Sequence, residues 1–163
     1  MRAAAVAIFA WGLVTGIAMA KSGLPMPLVF ALSALMYAGA AQLAAVPLLV
    51  AGFPLWVACF AAAVVNLRFL ITSAGLHPYF SGLPGPRRVL IGYLNGDITY
   101  LMFIGQYPQP VRGPGVEGFY FGLALTNMVC WHLGSLVGIV GAEAIPAAWE
   151  LDFAGTGRQL GHQ

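Results

Sequence analysis

Apolar residues fill this chain in long stretches, and the polar positions fall between the stretches rather than alternating within them. About 20 apolar residues suit a helix that crosses the hydrocarbon core of a bilayer. No strand-like alternation occurs, and a helix pairs its own backbone groups in lipid. Five segments follow, at 3–20, 27–50, 55–75, 89–105 and 118–141. Lys21-Ser22-Gly23 with Pro25 ends the first, and Ala51-Gly52-Phe53-Pro54 ends the second. The loops 77–88 and 106–117 are rich in proline and glycine. The expected architecture is all-α: a polytopic transmembrane helix bundle of about five spans over residues 1–142, then a polar C-terminal tail over 143–163.

Three details refine this pattern. Ala18-Met19-Ala20 before Lys21 has the look of a signal-peptide cleavage site. Because every later segment is also of membrane type, the first is read as a retained span. The second segment carries Tyr37-Ala38-Gly39-Ala40-Ala41-Gln42 near its midpoint. Glycine and a buried amide at depth suit a broken or re-entrant helix; a continuous helix with one hydrogen-bonded glutamine is the other reading. Gly12-x-x-x-Gly16 and Gly134-x-x-x-Gly138 have the spacing that lets helix backbones approach closely. With five full spans, Lys21, Arg87, Arg88 and Arg158 share one side and Arg2 and Arg112 the other. The positive-inside rule then makes the first side cytoplasmic and puts the N-terminus outside.

Composition strengthens the membrane reading. The chain is 163 residues, 60% hydrophobic and 7% charged, where a soluble domain carries roughly 25% charged residues. The net charge of +2 is dispersed, so nothing supports a nucleic-acid partner. Cys59 and Cys130 are too far apart in sequence to suggest a metal site or a disulfide framework and read as small core residues. No motif of hydrolysis, phosphate binding or dinucleotide binding occurs, so an enzyme is not expected, nor any cofactor or metal.

The polar residues inside the apolar segments are the candidate site. A charge at bilayer depth is costly and usually has a function or a partner. Asp97 lies in the fourth segment and Arg68 in the third, with Asn66, Asn95, Gln42 and Asn127 as amides at similar positions. On a continuous helix Tyr93, Gly96, Asp97 and Tyr100 share one face. Arg68 and Thr72 share another, with Asn66 about 200° away around the wheel. Asn127, Trp131, Gly134 and Gly138 form a stripe with His132 beside it. Two readings of Arg68 and Asp97 stay open. One is a buried ion pair that fixes the bundle. The other is a zwitterion site, in which Arg68 offers a planar fork to a carboxylate and Asp97 meets an ammonium or carries a proton. His132 and Trp131 are read as a hydrogen-bonded helix residue and a packing residue.

These residues also carry a resemblance. Residues 37–45 resemble the A-G-A-x-Q-F-A-A stretch of the large subunit of the azaleucine-resistance type branched-chain amino-acid exporters. Val65-Asn66-Leu67-Arg68, then His77-Pro78-Tyr79-Phe80-Ser81-Gly82-Leu83-Pro84 and Arg87-Arg88, are similar to that family's N-L-R-H…A-P-x-L-x-G-L-x…R-R pattern. Asn95-Gly96-Asp97-Ile98-Thr99-Tyr100 resembles its T-D-E-x-[FY] element. Trp131 with Gly134 and Gly138, and Leu151-Asp152-Phe153-Ala154, resemble its last two motifs. Phe69 and Ile98 stand where the family often has a histidine and a second acid.

The resemblance implies a subunit of a secondary transporter that exports valine, leucine or isoleucine, and also methionine. It implies ion-gradient coupling, a bacterial inner-membrane location, and a small four-span membrane protein as partner. Taken with the polar residues inside the apolar segments, the expected substrate-binding or coupling residues are Asp97, Arg68, Asn66, Asn95 and Gln42, supported by Tyr93, Tyr100, Trp131 and Asn127. The family continues past L-D-F-A with roughly two more spans where this chain has the polar stretch 155–163. A shortened member, or a non-transporting scaffold or remnant, is therefore the alternative expectation.

Overall fold

The computed structural model describes residues 2–144. The polar tail, Leu151-Asp152-Phe153-Ala154 and Arg158 lie outside the described residues. Within them the chain is all helical: α1 (Arg2–Ala20), α2 (Met26–Leu35), α3 (Gly39–Val50), α4 (Leu55–Asn66), α5 (Arg68–Phe80), α6 (Gly85–Tyr93), α7 (Asp97–Gln106) and α8 (Pro114–Gly141), then a short 3₁₀ turn at Ala142–Ala144.

Proline marks where helices start. Pro25, Pro54 and Pro84 stand immediately before α2, α4 and α6, and Pro114 is the first residue of α8. A first-turn amide has no partner within its helix, so proline loses nothing there and arrives with its φ already set. Glycine marks one end. Gly52, at φ 77°, follows α3, with Phe53 N–H on Leu48 O at 3.0 Å and Gly52 N–H on Leu49 O at 3.1 Å. This paired closure uses the left-handed residue that glycine adopts without strain.

The expected segments are all found as helix, but the middle three are not single helices. The second is broken, as one reading expected: α2 stops at Leu35 and α3 begins at Gly39. The third and fourth were expected to be continuous, and both are interrupted. α4 and α5 meet at Leu67 with a 41° bend, where Leu67 N–H pairs with Val64 O and Leu70 N–H with Leu67 O, three residues back rather than four. Helix α6 ends at Tyr93 and α7 starts at Asp97, so Leu94-Asn95-Gly96 is a linker. α5 also runs on through His77 and Pro78, which the proline and glycine content had assigned to a loop. Proline at that point still leaves the helix one further turn before Ser81. By length and hydropathy, α1 and α8 can each cross a membrane alone, and the α4–α5 pair makes a third crossing if taken as one span.

Helices α1 and α8 form the spine. A Cβ on Gly12 would meet Trp131 O and one on Gly16 would meet Ser135 O; a Cβ on Gly134 would meet Phe9 O and one on Gly138 Leu13 O. The two glycine pairs therefore interlock backbone on backbone, each pair sitting on the other helix. Beside this spine, α3 and α4 pack through alanines (Ala38, Ala41, Ala45, Ala58, Ala62). An aromatic cluster of Tyr79, Phe80, Phe103 and Tyr120 joins α5, α7 and α8. The Tyr120 hydroxyl donates to Ile91 O at 2.7 Å and thereby ties α6 to α8.

Candidate functional site

The three interruptions gather most of the polar side chains singled out above. Arg68 is the first residue of α5 and Asp97 the first of α7. Their side chains form an ion pair, Arg68 Nη1 to Asp97 Oδ2 at 3.2 Å. The pair is not sealed: the two side chains are 40% and 46% exposed. The Phe69 ring lies under the Arg68 guanidinium at 5.0 Å, an attractive placement for a cation. Arg68 Nε is buried and has no hydrogen-bond partner among the described residues.

Gln42 belongs to the break of the second segment. It is fully buried, and its Nε2 donates to Leu32 O at 3.0 Å and to Met36 O at 2.7 Å. A helix end leaves carbonyls without partners; this amide supplies a donor to Met36 O and a second donor to Leu32 O, which also accepts from Met36 N–H at 3.0 Å. Gln42 therefore ties α3 to the end of α2, while its Oε1 has no partner among the described residues. Asn95 sits in the α6–α7 linker. Its Nδ2 donates to Thr72 Oγ1 at 2.8 Å, which ties the linker to α5, and its Oδ1 is unpaired. Asn66 ends α4, and its Oδ1 is buried without a partner among the described residues.

Two expectations about faces need correction. Tyr93 does not share a helical face with Gly96, Asp97 and Tyr100, because the helix stops at Tyr93; that side chain is 52% exposed. The 200° separation of Asn66 from Arg68 likewise does not apply, since the helix bends between them. Tyr100 instead packs on α5, where a Cβ on Gly75 would run into its hydroxyl.

The stripe on α8 is intact and buried, with Asn127, Trp131, Gly134 and Gly138 all inside. Asn127 Nδ2 donates to the hydroxyl of Tyr37, which lies in the break between α2 and α3. The same Nδ2 stands against Gly96 in the other break, 2.6 Å from where a Cβ would be. The Tyr37 ring stacks on His132 at 5.8 Å between centroids and meets Trp131 edge-on at 6.5 Å. His132 Nδ1 is bonded to Met128 O at 2.9 Å, one turn back on its own helix.

Sequence reasoning missed Tyr37 and Thr99 as members of this group. Thr99 is 1% exposed with an unpaired hydroxyl. The dipeptide Asn95-Gly96, a common turn signal, was the mark of the break that puts Thr99 in the first turn of α7. Two cavities lie elsewhere. One of about 180 Å³ is lined by Tyr79, Leu83, Arg112 and Glu117 among others, and one of about 80 Å³ by Ser73, His77 and Arg88 among others. Neither includes Arg68 or Asp97.

The arrangement is one of paired opposite charges flanked by unsatisfied amides and a hydroxyl, at points where helices stop. It can present both signs of charge and several hydrogen-bonding groups to a small zwitterion, and it contains no nucleophile paired with a base. No curated protein and no solved structure matches the chain. The family model described as AzlC protein matches residues 3–145, nearly the whole described chain. The chain thus belongs to the AzlC family, the large subunits of the azaleucine-resistance type branched-chain amino-acid exporters, and is a membrane protein of a transporter family.

Proposed function

We propose that this protein is a subunit of a secondary transporter that exports branched-chain amino acids, valine, leucine, isoleucine and also methionine, across a bacterial inner membrane. The observation that carries the reading is the Arg68–Asp97 pair, half-exposed and placed at the starts of two interrupted helices. An α-amino acid carries the same two charges as that pair. Its arrival exchanges one neutral arrangement for another: Asp97 meets the ammonium, and Arg68 meets the carboxylate or restrains Asp97. Protonation of Asp97 breaks the ion pair without any other change, which links occupancy of the site to an ion gradient. Carboxylates at such depth commonly serve as proton carriers. Gln42, Asn66 and Asn95 line the path, and a small four-span membrane protein completes the exporter.

Efflux from cells loaded with valine-, leucine- or methionine-containing dipeptides tests this, with the chain co-expressed with a small partner of the four-span kind. Accelerated efflux that Asp97→Asn abolishes, with the variant still present in the membrane, is the expected result. Full efflux by Asp97→Asn sinks the coupling role. No efflux, with both proteins in the membrane, favours a non-transporting scaffold.

A further inference from the structure

The linker between α6 and α7 holds hydrogen-bond donors that the described residues leave unused. Gly96 precedes α7 and has no side chain with which to cap it. Tyr100 N–H is the first amide of that helix to find an acceptor, Gly96 O at 2.8 Å. The amides of Asp97, Ile98 and Thr99 before it have none among the described residues. The first amides of a helix form its positive end and suit an anion. A helix end alone does not make a site, but a second observation coincides with this one. Thr99 is 1% exposed, and its hydroxyl has no partner. That hydroxyl lies 3.8 Å from the point where a Cβ on Gly96 would stand, and Asn127 Nδ2 lies 2.6 Å from the same point. The Thr99 hydroxyl and the Asn127 carboxamide thus stand beside Gly96 at the start of α7, with the carboxamide in the place a side chain there would take. Buried hydroxyls are rarely left unpaired, and among the described residues the Thr99 hydroxyl and the first amides of α7 have no acceptor.

We propose that the first turn of α7, with the Thr99 hydroxyl, is the seat of the substrate's α-carboxylate. This rests on the transport reading above and deepens it: the carboxylate goes to α7, and Arg68 keeps hold of Asp97. The α-ammonium of the same amino acid then lies beside Asp97, the first residue of that turn. Because Arg68 balances the charge of Asp97, the incoming carboxylate meets a neutral pair and a set of donors.

The test uses the full chain together with a small partner of the four-span kind in lipid vesicles and two probes, L-valine and L-valinamide, which differ only at the carboxyl group. The readout is the preference for valine over valinamide. Thr99→Val keeps the shape and removes the hydroxyl; it is expected to reduce that preference about tenfold or more. Thr99→Ser is expected to restore it. An unchanged preference in Thr99→Val, or equal weakening of both probes, overturns the seat and leaves the transport reading standing. A wild-type chain that binds neither probe overturns the transport reading, and the seat falls with it.

Discussion

Helices α1 and α8 differ from the rest of the bundle in one respect that organises everything else. They run unbroken for 19 and 28 residues and meet through interlocked glycines. The segments between them break at 36–38, bend at Leu67 and break again at 94–96. Gln42 follows the first break, Asn66 and Arg68 flank the bend, and Asn95 and Asp97 belong to the last. An unbroken helix uses all its interior backbone groups, whereas a broken one frees several at each new end. The spine therefore supplies rigidity and the interrupted half supplies chemistry, with Asn127 and Trp131 as the part of the spine that reaches into it.

Four experiments press on this division, in falling order of their effect on stability. Gly134→Val drives side-chain atoms into the backbone of α1, and Gly16→Val drives them into the backbone of α8. Overpacking costs about 1–3 kcal/mol where neighbours can give way; here the neighbour is main chain. The expected outcome is loss of folded protein after detergent extraction, and a well-folded double variant breaks the idea of a rigid spine. Gln42→Leu removes the donor from Leu32 O and Met36 O. It should cost about 1–3 kcal/mol, read as a lowered melting temperature, because Met36 O is left without its donor while Leu32 O keeps Met36 N–H.

Tyr37→Phe keeps the stack on His132 and removes the acceptor of Asn127. A neutral hydrogen bond contributes about 0.5–1.5 kcal/mol, so a small fall in melting temperature is expected. The smallest stability effect is expected at the ion pair. A double-mutant cycle over Arg68→Ala and Asp97→Asn should give a coupling of about 1 kcal/mol or less, since both side chains are half-exposed. Each single variant should nonetheless lose efflux. If the double variant regains both abundance and efflux, the pair is structural and the division between spine and site is drawn in the wrong place.

The parts of this design differ in how plainly they were written in the chain. The glycine seam was legible because spacing of four places small residues on one helical face, and the only use for such a face in lipid is close approach. The first break was foreshadowed by Gly39 and Gln42, a flexible residue beside an amide that a continuous apolar helix has no need of. The bend at Leu67 was not legible. Leu67 keeps helical angles, φ −54° and ψ −27°, and neither proline nor glycine stands beside it. The break at 94–96 was announced by Asn95-Gly96 but outweighed by the hydrophobic run on either side. That error misplaced Tyr93 and hid Thr99. Hydropathy reports where a chain is apolar; whether the helix continues there depends on single residues and on what the neighbouring helices offer the freed backbone.

Asn127 has one consequence that belongs to thermodynamics rather than to shape. Its amide is bonded to Tyr37 in one break and packed on Gly96 in the other. A rearrangement of the α6–α7 linker that displaces this amide changes the free energy of the α2–α3 break, and the reverse change must be of the same size. Reciprocity of this kind is obligatory for equilibrium binding. A ligand that favours one arrangement at Gly96 therefore biases Tyr37, and anything held at Tyr37 shifts affinity at Gly96 by the same factor, through a single carboxamide on an otherwise rigid helix.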